Sequence, residues 1–154
     1  MLIARKQLNL AVKLVGNKPI SFEVFADDLP TMHAQALEIA SWGANVFVKI
    51  PITNTKGESA VELVRALSGS GVQVNVTAMF TRAHVQDVTD ALDPGTAAVV
   101  SVFAGRIADT GIDPVPLMRE FKQIVSAKPA AELLWASPRE VLNLIQANDT
   151  GCDI

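Results

Sequence analysis

Residues Asn45–Pro51 read NVFVKIP, and this stretch decides the fold. Val46–Ile50 is apolar and largely β-branched, and Pro51 closes it, so it reads as a strand. A lysine, Lys49, stands in the middle of that apolar run. On either side the same pattern recurs. Ile20–Phe25, Val72–Phe80, Ala98–Phe103 and Glu132–Ala136 read as further strands, and Gly151–Ile154 as the start of another. Between them lie helical patterns over about 29–42, with Asp28 as its cap, and over about 58–67, 82–92, 115–126 and 138–147, the last with proline in its first turn. Residues 107–113 read as a loop, and Met1–Gly16 as an amphipathic helix.

Strands alternating with helices imply a parallel sheet covered by helices. An open doubly wound sheet and part of a closed barrel both remain available. No GxGxxG turn follows any strand, and 154 residues is short of the roughly 200 or more that an eight-stranded barrel takes. The length corresponds to a single domain over residues 1–154.

Composition excludes several classes. Hydrophobic residues make up 49% and charged ones 19%, enough to bury a core. The net charge of −3 is interspersed, which argues against nucleic acid as a partner. No run of 18 uncharged apolar residues is present, so no membrane span is expected. A lone cysteine, Cys152, points to a reducing, cytoplasmic setting and reads as a buried structural thiol. His33 and His84 lack ligand spacing, so no metal site is expected, and Asp27 and Asp28 read as helix capping.

Side-chain alternation sorts each strand into two faces. Ser21 and Glu23 oppose Ile20, Phe22 and Val24; Phe47 and Lys49 oppose Val46, Val48 and Ile50. Asn75, Thr77 and Met79 share one face of the next strand, Ser101 and Phe103 one face of the fourth, and Leu133, Trp135 and Ser137 one face of the fifth. Glu23, Lys49, Asn75 and Ser101 recur at intervals of 26 residues, in the C-terminal halves of their strands, where parallel α/β proteins place active sites. On an enclosed face, desolvation disfavours an ammonium, and a neutral amine attacks carbonyls to form a Schiff base. Glu23, one strand away, is placed to move a proton directly or through a water held with Thr77. The plainer reading, a buried Glu23–Lys49 ion pair, leaves Asn75, Thr77, Ser101 and Ser137 unexplained on that face. Arg106 and Arg139 follow two strand ends close to Ser101 and Ser137, an arrangement suited to a phosphate clamp.

Six ordered stretches, SFEVF (21–25), NVFVKIP (45–51), NVTAMF (75–80), SVFAGRI (101–107), ADTGIDP (108–114) and WASPR (135–139), resemble the transaldolase family, in its short-chain branch with the fructose-6-phosphate aldolases. The resemblance covers essentially the whole chain. It implies a (β/α)8 TIM barrel of the class I aldolase type and a Schiff-base lysine at Lys49. Glu23 and Thr77 would position the catalytic water and Asn75 would lie near the intermediate. Arg106, Ser137 and Arg139 would bind the sugar phosphate, with Ser101 and Phe103 lining the pocket. The implied reaction needs no metal or cofactor. It moves a dihydroxyacetone unit from sedoheptulose 7-phosphate to glyceraldehyde 3-phosphate, giving erythrose 4-phosphate and fructose 6-phosphate, in the pentose phosphate pathway. Glu23 and Phe103 favour transaldolase over aldolase, whose members tend to carry Gln and Tyr there. Family members begin with two further strands bearing an acid–base aspartate and a substrate-contacting asparagine, whereas Met1–Gly16 matches the helix after them. With Gly151–Ile154 falling inside the eighth strand, the expectation is an incomplete barrel, the first two strands missing and the last cut short, that is either unstable or completes itself by association as a homo-oligomer. Without the aspartate, Schiff-base formation is expected to survive and full turnover to be impaired; the alternative is a sugar-phosphate-binding fragment that keeps Arg106, Ser137 and Arg139 but lacks the chemistry.

Overall fold

The structure is a computed structural model and describes residues 10–154. Residues 10–15 are helical, and the earlier part of the helix expected over Met1–Gly16 lies outside the described residues. Then β1 (Ile20–Glu23) leads into α1 (Leu29–Ala40), β2 (Val46–Pro51), α2 (Val61–Gly69), β3 (Val74–Met79) and α3 (Arg82–Ala91). The chain continues through β4 (Ala98–Val102), α4 (Ala104–Asp109), α5 (Pro114–Val125), β5 (Ala131–Trp135) and α6 (Val141–Thr150).

The sheet runs β1-β2-β3-β4-β5 with every pairing parallel. Strand order equals chain order, so each crossover repeats the one before it and the helices collect on one side. A doubly wound sheet would reverse its order partway. The fold is therefore α/β with a five-stranded, singly wound parallel sheet, consistent with part of a TIM-type barrel. Ile154 extends it slightly: its amide donates to Leu133 O (3.3 Å) and its carbonyl accepts from Trp135 N (3.0 Å), a first parallel contact on the free edge of β5.

One face of the sheet carries the core. Val48, Ile50, Val74, Val76, Val100 and Leu133 are buried against Leu67, Val85, Met118 and Phe121 of the helices. Burial of each such side chain contributes roughly 1.5–3 kcal/mol. Local signals set the helix starts. Asp28 Oδ1 accepts from Thr31 N (2.9 Å) at α1, and Asp113 Oδ1 from Val115 N (3.0 Å) at α5, each just before a proline in the first turn. Asp27 caps nothing, contrary to expectation. Its carboxylate accepts from the amide and hydroxyl of Thr55, tying two loops together, and those hydrogen bonds hold it below the usual carboxylate range.

Three boundaries differ from the sequence reading. Helix α2 begins at Val61 and not near Glu58, because Thr53 and Ser59 bridge and Asn54 Oδ1 accepts from the amides of Lys56 and Glu58. Helix α4 spans residues 104–109, so residues 107–109 of the loop expected over 107–113 are helical. Helix α6 starts at Val141, three residues past Pro138, where Asn143 Oδ1 accepts from the amides of Arg139 and Glu140. Cys152 is half-buried, and burial pushes its thiol up.

A further difference concerns faces. Met79 does not share the face of Asn75 and Thr77: it is fully buried in the helix-side core. Ala78 has φ 61°, and the β3–β4 register slips between Val76 and Met79, so Ala78 is an extra residue that turns Met79 over. A left-handed alanine costs roughly 1–2 kcal/mol. Ala78→Gly is expected to raise stability by roughly 0.5–1 kcal/mol, read as a higher urea midpoint at unchanged slope. Leu133 and Trp135 likewise belong to the core, leaving Leu134 on the opposite face. Ser137 lies beyond the end of β5 and is left-handed too, at φ 63°, so strand alternation does not extend to it.

Candidate active site

The second face of the sheet gathers the polar groups. Parallel register sets Glu23 beside Lys49 and Lys49 beside Asn75, so three consecutive strands present them at one level. Lys49 Nζ lies 3.7 Å from Glu23 Oε2. The enclosure expected of this face is incomplete: the Lys49 side chain is 33% exposed and that of Glu23 49%. An ion pair so placed contributes little to stability, about 0–1 kcal/mol. A carboxylate within one water's reach of an amine can take and return a proton.

Asn75 and Ser101 are buried and form a hydrogen-bonded line. Ser101 Oγ donates to Asn75 Oδ1 (2.7 Å), and Asn75 Nδ2 donates to Ser21 Oγ (3.0 Å). The even interval of 26 residues holds as register for Glu23, Lys49 and Asn75 but not for Ser101: Asn75 is level with Val99, and Ser101 stands two residues further along β4. Ser21 was not among the candidates, although it shares the face of Glu23; alternation was the available signal. Thr77, level with Pro51, is buried, and its Oγ1 has no partner among the described residues. An unpartnered buried hydroxyl suits a water or a substrate oxygen.

At the same C-terminal end of the sheet, Phe103 precedes α4 and meets Phe80 edge to face, ring centroids 5.6 Å apart. Arg106 and Arg139 converge on one carboxylate. Arg106 Nη1 lies 3.6 Å from Asp109 Oδ2, and Arg139 Nη1 donates to Asp109 Oδ1. Asp109, 30 residues from Arg139, was missed by sequence reasoning, which offers no periodic signal for a pair between α4 and a loop. Ser137 joins this group through its backbone: Gly105 lies so close that any Cβ there would stand 1.9 Å from Ser137 O. Gly105 N also donates to Ala136 O (3.2 Å), fixing the start of α4 against the end of β5. The site thus has a lysine–glutamate pair with buried polar neighbours, and a separate two-arginine cradle. Among the described residues, no three of His, Cys, Asp and Glu cluster as a metal site would require, and no helix is long and apolar enough to cross a membrane.

A curated "Probable transaldolase" of Lactiplantibacillus plantarum is 34% identical over 137 residues, 88% of this chain and 59% of that protein. Proteins of the same description from Roseiflexus castenholzii and Dehalococcoides mccartyi are 36% and 37% identical, over 88% and 92% of this chain and 59% and 62% of their own lengths. The chain thus spans about 60% of the length of the curated relatives it matches. The family model described as Transaldolase/Fructose-6-phosphate aldolase matches residues 2–154, and the chain belongs to that family.

Proposed function

We propose that this chain carries out the Schiff-base chemistry of a transaldolase on ketose phosphates, as a single barrel-type domain, with Lys49 as the nucleophile. The observation that carries this reading is Lys49 Nζ placed 3.7 Å from the Glu23 carboxylate, on the sheet face that also bears Asn75, Thr77 and Ser101. Glu23 takes a proton from Nζ, and the freed amine attacks the ketose carbonyl carbon. Loss of water completes the iminium: two ammonium protons leave with the carbonyl oxygen and the third stays on nitrogen. Thr77 Oγ1 holds the departing or attacking water, and Asn75, fixed by Ser21 and Ser101, faces the intermediate. Arg106, Ser137 and Arg139 hold the phosphate, and Phe103 lines the pocket.

Glu23 and Phe103 favour transfer of the dihydroxyacetone unit to an aldose phosphate over its release, so the reaction is the transaldolase step of the pentose phosphate pathway and not the fructose-6-phosphate aldolase reaction. The reading includes work in the cytoplasm and self-association, for which α6 offers the exposed side chains Val141, Leu142, Leu144 and Ile145. Incubation with fructose 6-phosphate and borohydride is expected to leave a reduced adduct that peptide mass spectrometry maps to Lys49. No adduct in a folded sample would overturn the reading. Coupled assays with and without erythrose 4-phosphate then separate transfer from simple aldol cleavage.

Binding of sugar phosphate without turnover is the second reading, favoured by one observation: a third of the Lys49 side chain stands in solvent beside a carboxylate. Thr77→Val discriminates. Replacing a buried, unpartnered hydroxyl with a methyl leaves stability unchanged or up to about 1–2 kcal/mol higher. On the transaldolase reading it also slows adduct formation by roughly ten- to a hundredfold. Trapping kinetics and a urea melt on the same preparation give both numbers.

A further inference from the structure

We propose that Asp109 is a built-in competitor for the anion site, a carboxylate that occupies the two-arginine cradle until a phosphate displaces it. The inference rests on the reading of Arg106 and Arg139 as the phosphate clamp. Its basis is the way Asp109 sits there: one carboxylate oxygen engages Arg106 and the other Arg139. A phosphate bridging the same two guanidiniums would use them in the same manner, one oxygen to each. The two modes cannot coexist on those donors.

Two further features separate a competitor from a structural strut. Asp109 is the last residue of α4, where the partial negative charge of the helix end disfavours a carboxylate, so within its own helix the i,i+3 pair with Arg106 works against the helix end. Its side chain is 42% exposed, and those of Arg106 and Arg139 are 59% and 44% exposed. Exposed pairs of this kind are weak and exchange readily with an incoming ligand. The unliganded cradle carries two positive charges and one negative. When the Asp109 carboxylate swings out to water, the full charge of both guanidiniums meets the phosphate. Asp109 therefore sets the threshold of affinity at which a phosphorylated ligand is held, and acts as a positioning residue through the arginines it occupies.

Titration calorimetry of the full chain with inorganic phosphate tests this. Asp109→Asn keeps the shape and removes the charge. It is expected to bind phosphate about three- to tenfold more tightly, the range that loss of one or two exposed ion pairs allows. Asp109→Ala, which also lacks the charge, shifts the same way, whereas Asp109→Glu, which retains it, stays within about twofold of the parent. A carboxylate that only holds the two arginines in place predicts the opposite, weaker binding when it is lost. Unchanged or weaker affinity in both neutral variants overturns the competitor while leaving the clamp in place, provided Arg139→Ala still weakens binding. If Arg139→Ala has no effect, or phosphate binds neither the parent nor Asp109→Asn, the clamp reading itself falls and the competitor with it.

Discussion

Lys49→Met is expected to yield no borohydride-stable adduct with fructose 6-phosphate, a fall of at least about a thousandfold, while the protein stays folded. The reasons for the two halves differ. Without Nζ no atom at that position can bond covalently to the carbonyl carbon, so chemistry is lost and not merely slowed. Stability hardly changes, because Lys49 is a third exposed and its partner Glu23 half exposed, and a carboxylate left alone there is solvated. Lys49→Arg sharpens the point. It restores a positive charge beside Glu23 yet gives no adduct, since a guanidinium does not deprotonate to a usable nucleophile. An Arg variant that still traps the ketose would show that the adduct forms elsewhere. Phosphate affinity in both variants should stay within about twofold of the parent, because the cradle of Arg106 and Arg139 is built from α4 and the segment after β5.

The separation of lysine from cradle also explains which parts of the site were legible in the sequence. Glu23, Lys49 and Asn75 were readable because each sits in a regular strand, where alternation fixes the face and parallel pairing fixes the level. The strands themselves were legible for the same reason: Val46–Pro51 and Ala98–Val102 are apolar runs bounded by turn residues. Reading by parity failed where the backbone leaves the strand. Ala78 and Ser137 both adopt positive φ without being glycine, and neither residue type announces that conformation. One turned Met79 into the core, and the other lies past the end of β5, where alternation no longer applies. Both lie at the C-terminal end of the sheet, and such local strain gathers where a site is built.

Other features were illegible because they depend on distant residues. Asp109 joins Arg139 across 30 positions, and Asn54 reaches back to Asp27 O across 27. Neither separation is a helical or strand period. The enclosure of Lys49 was over-read for a related reason. Parity says which face a side chain takes, but only the full set of strands around a barrel decides how much water that face sees. With five strands described, the Glu23–Lys49 pair stays accessible, and the apolar side chains Phe47, Val99 and Leu134 line an open hollow on the same face as Asn75.

The second large effect is expected from a single methyl group. Gly105→Ala would set a Cβ 1.9 Å from Ser137 O, 2.9 Å from Ser137 C and 3.1 Å from Ser137 Cβ. The obstacle is backbone, which cannot rotate aside as a side-chain tip does, so the start of α4 and the segment after β5 must move apart by about 1 Å or more. The cost is about 2–3 kcal/mol, a fall of roughly 5–10 °C in Tm for a chain of this size. That retreat also strains the hydrogen bond from Gly105 N to Ala136 O and moves Arg139 relative to Arg106. Phosphate affinity should therefore drop by about tenfold or more, in the direction opposite to Asp109→Asn. Gly111→Ala separates strain from collision. Gly111 has φ 84° but open space around its Cβ position, so alanine there costs roughly 1–2 kcal/mol of backbone strain with the cradle undisturbed. Equal losses of phosphate affinity in the two variants would mean that general destabilisation, and not the contact of Gly105 with Ser137, governs the site. A loss confined to Gly105→Ala would identify that contact as the hinge pin on which the two arginines are aligned.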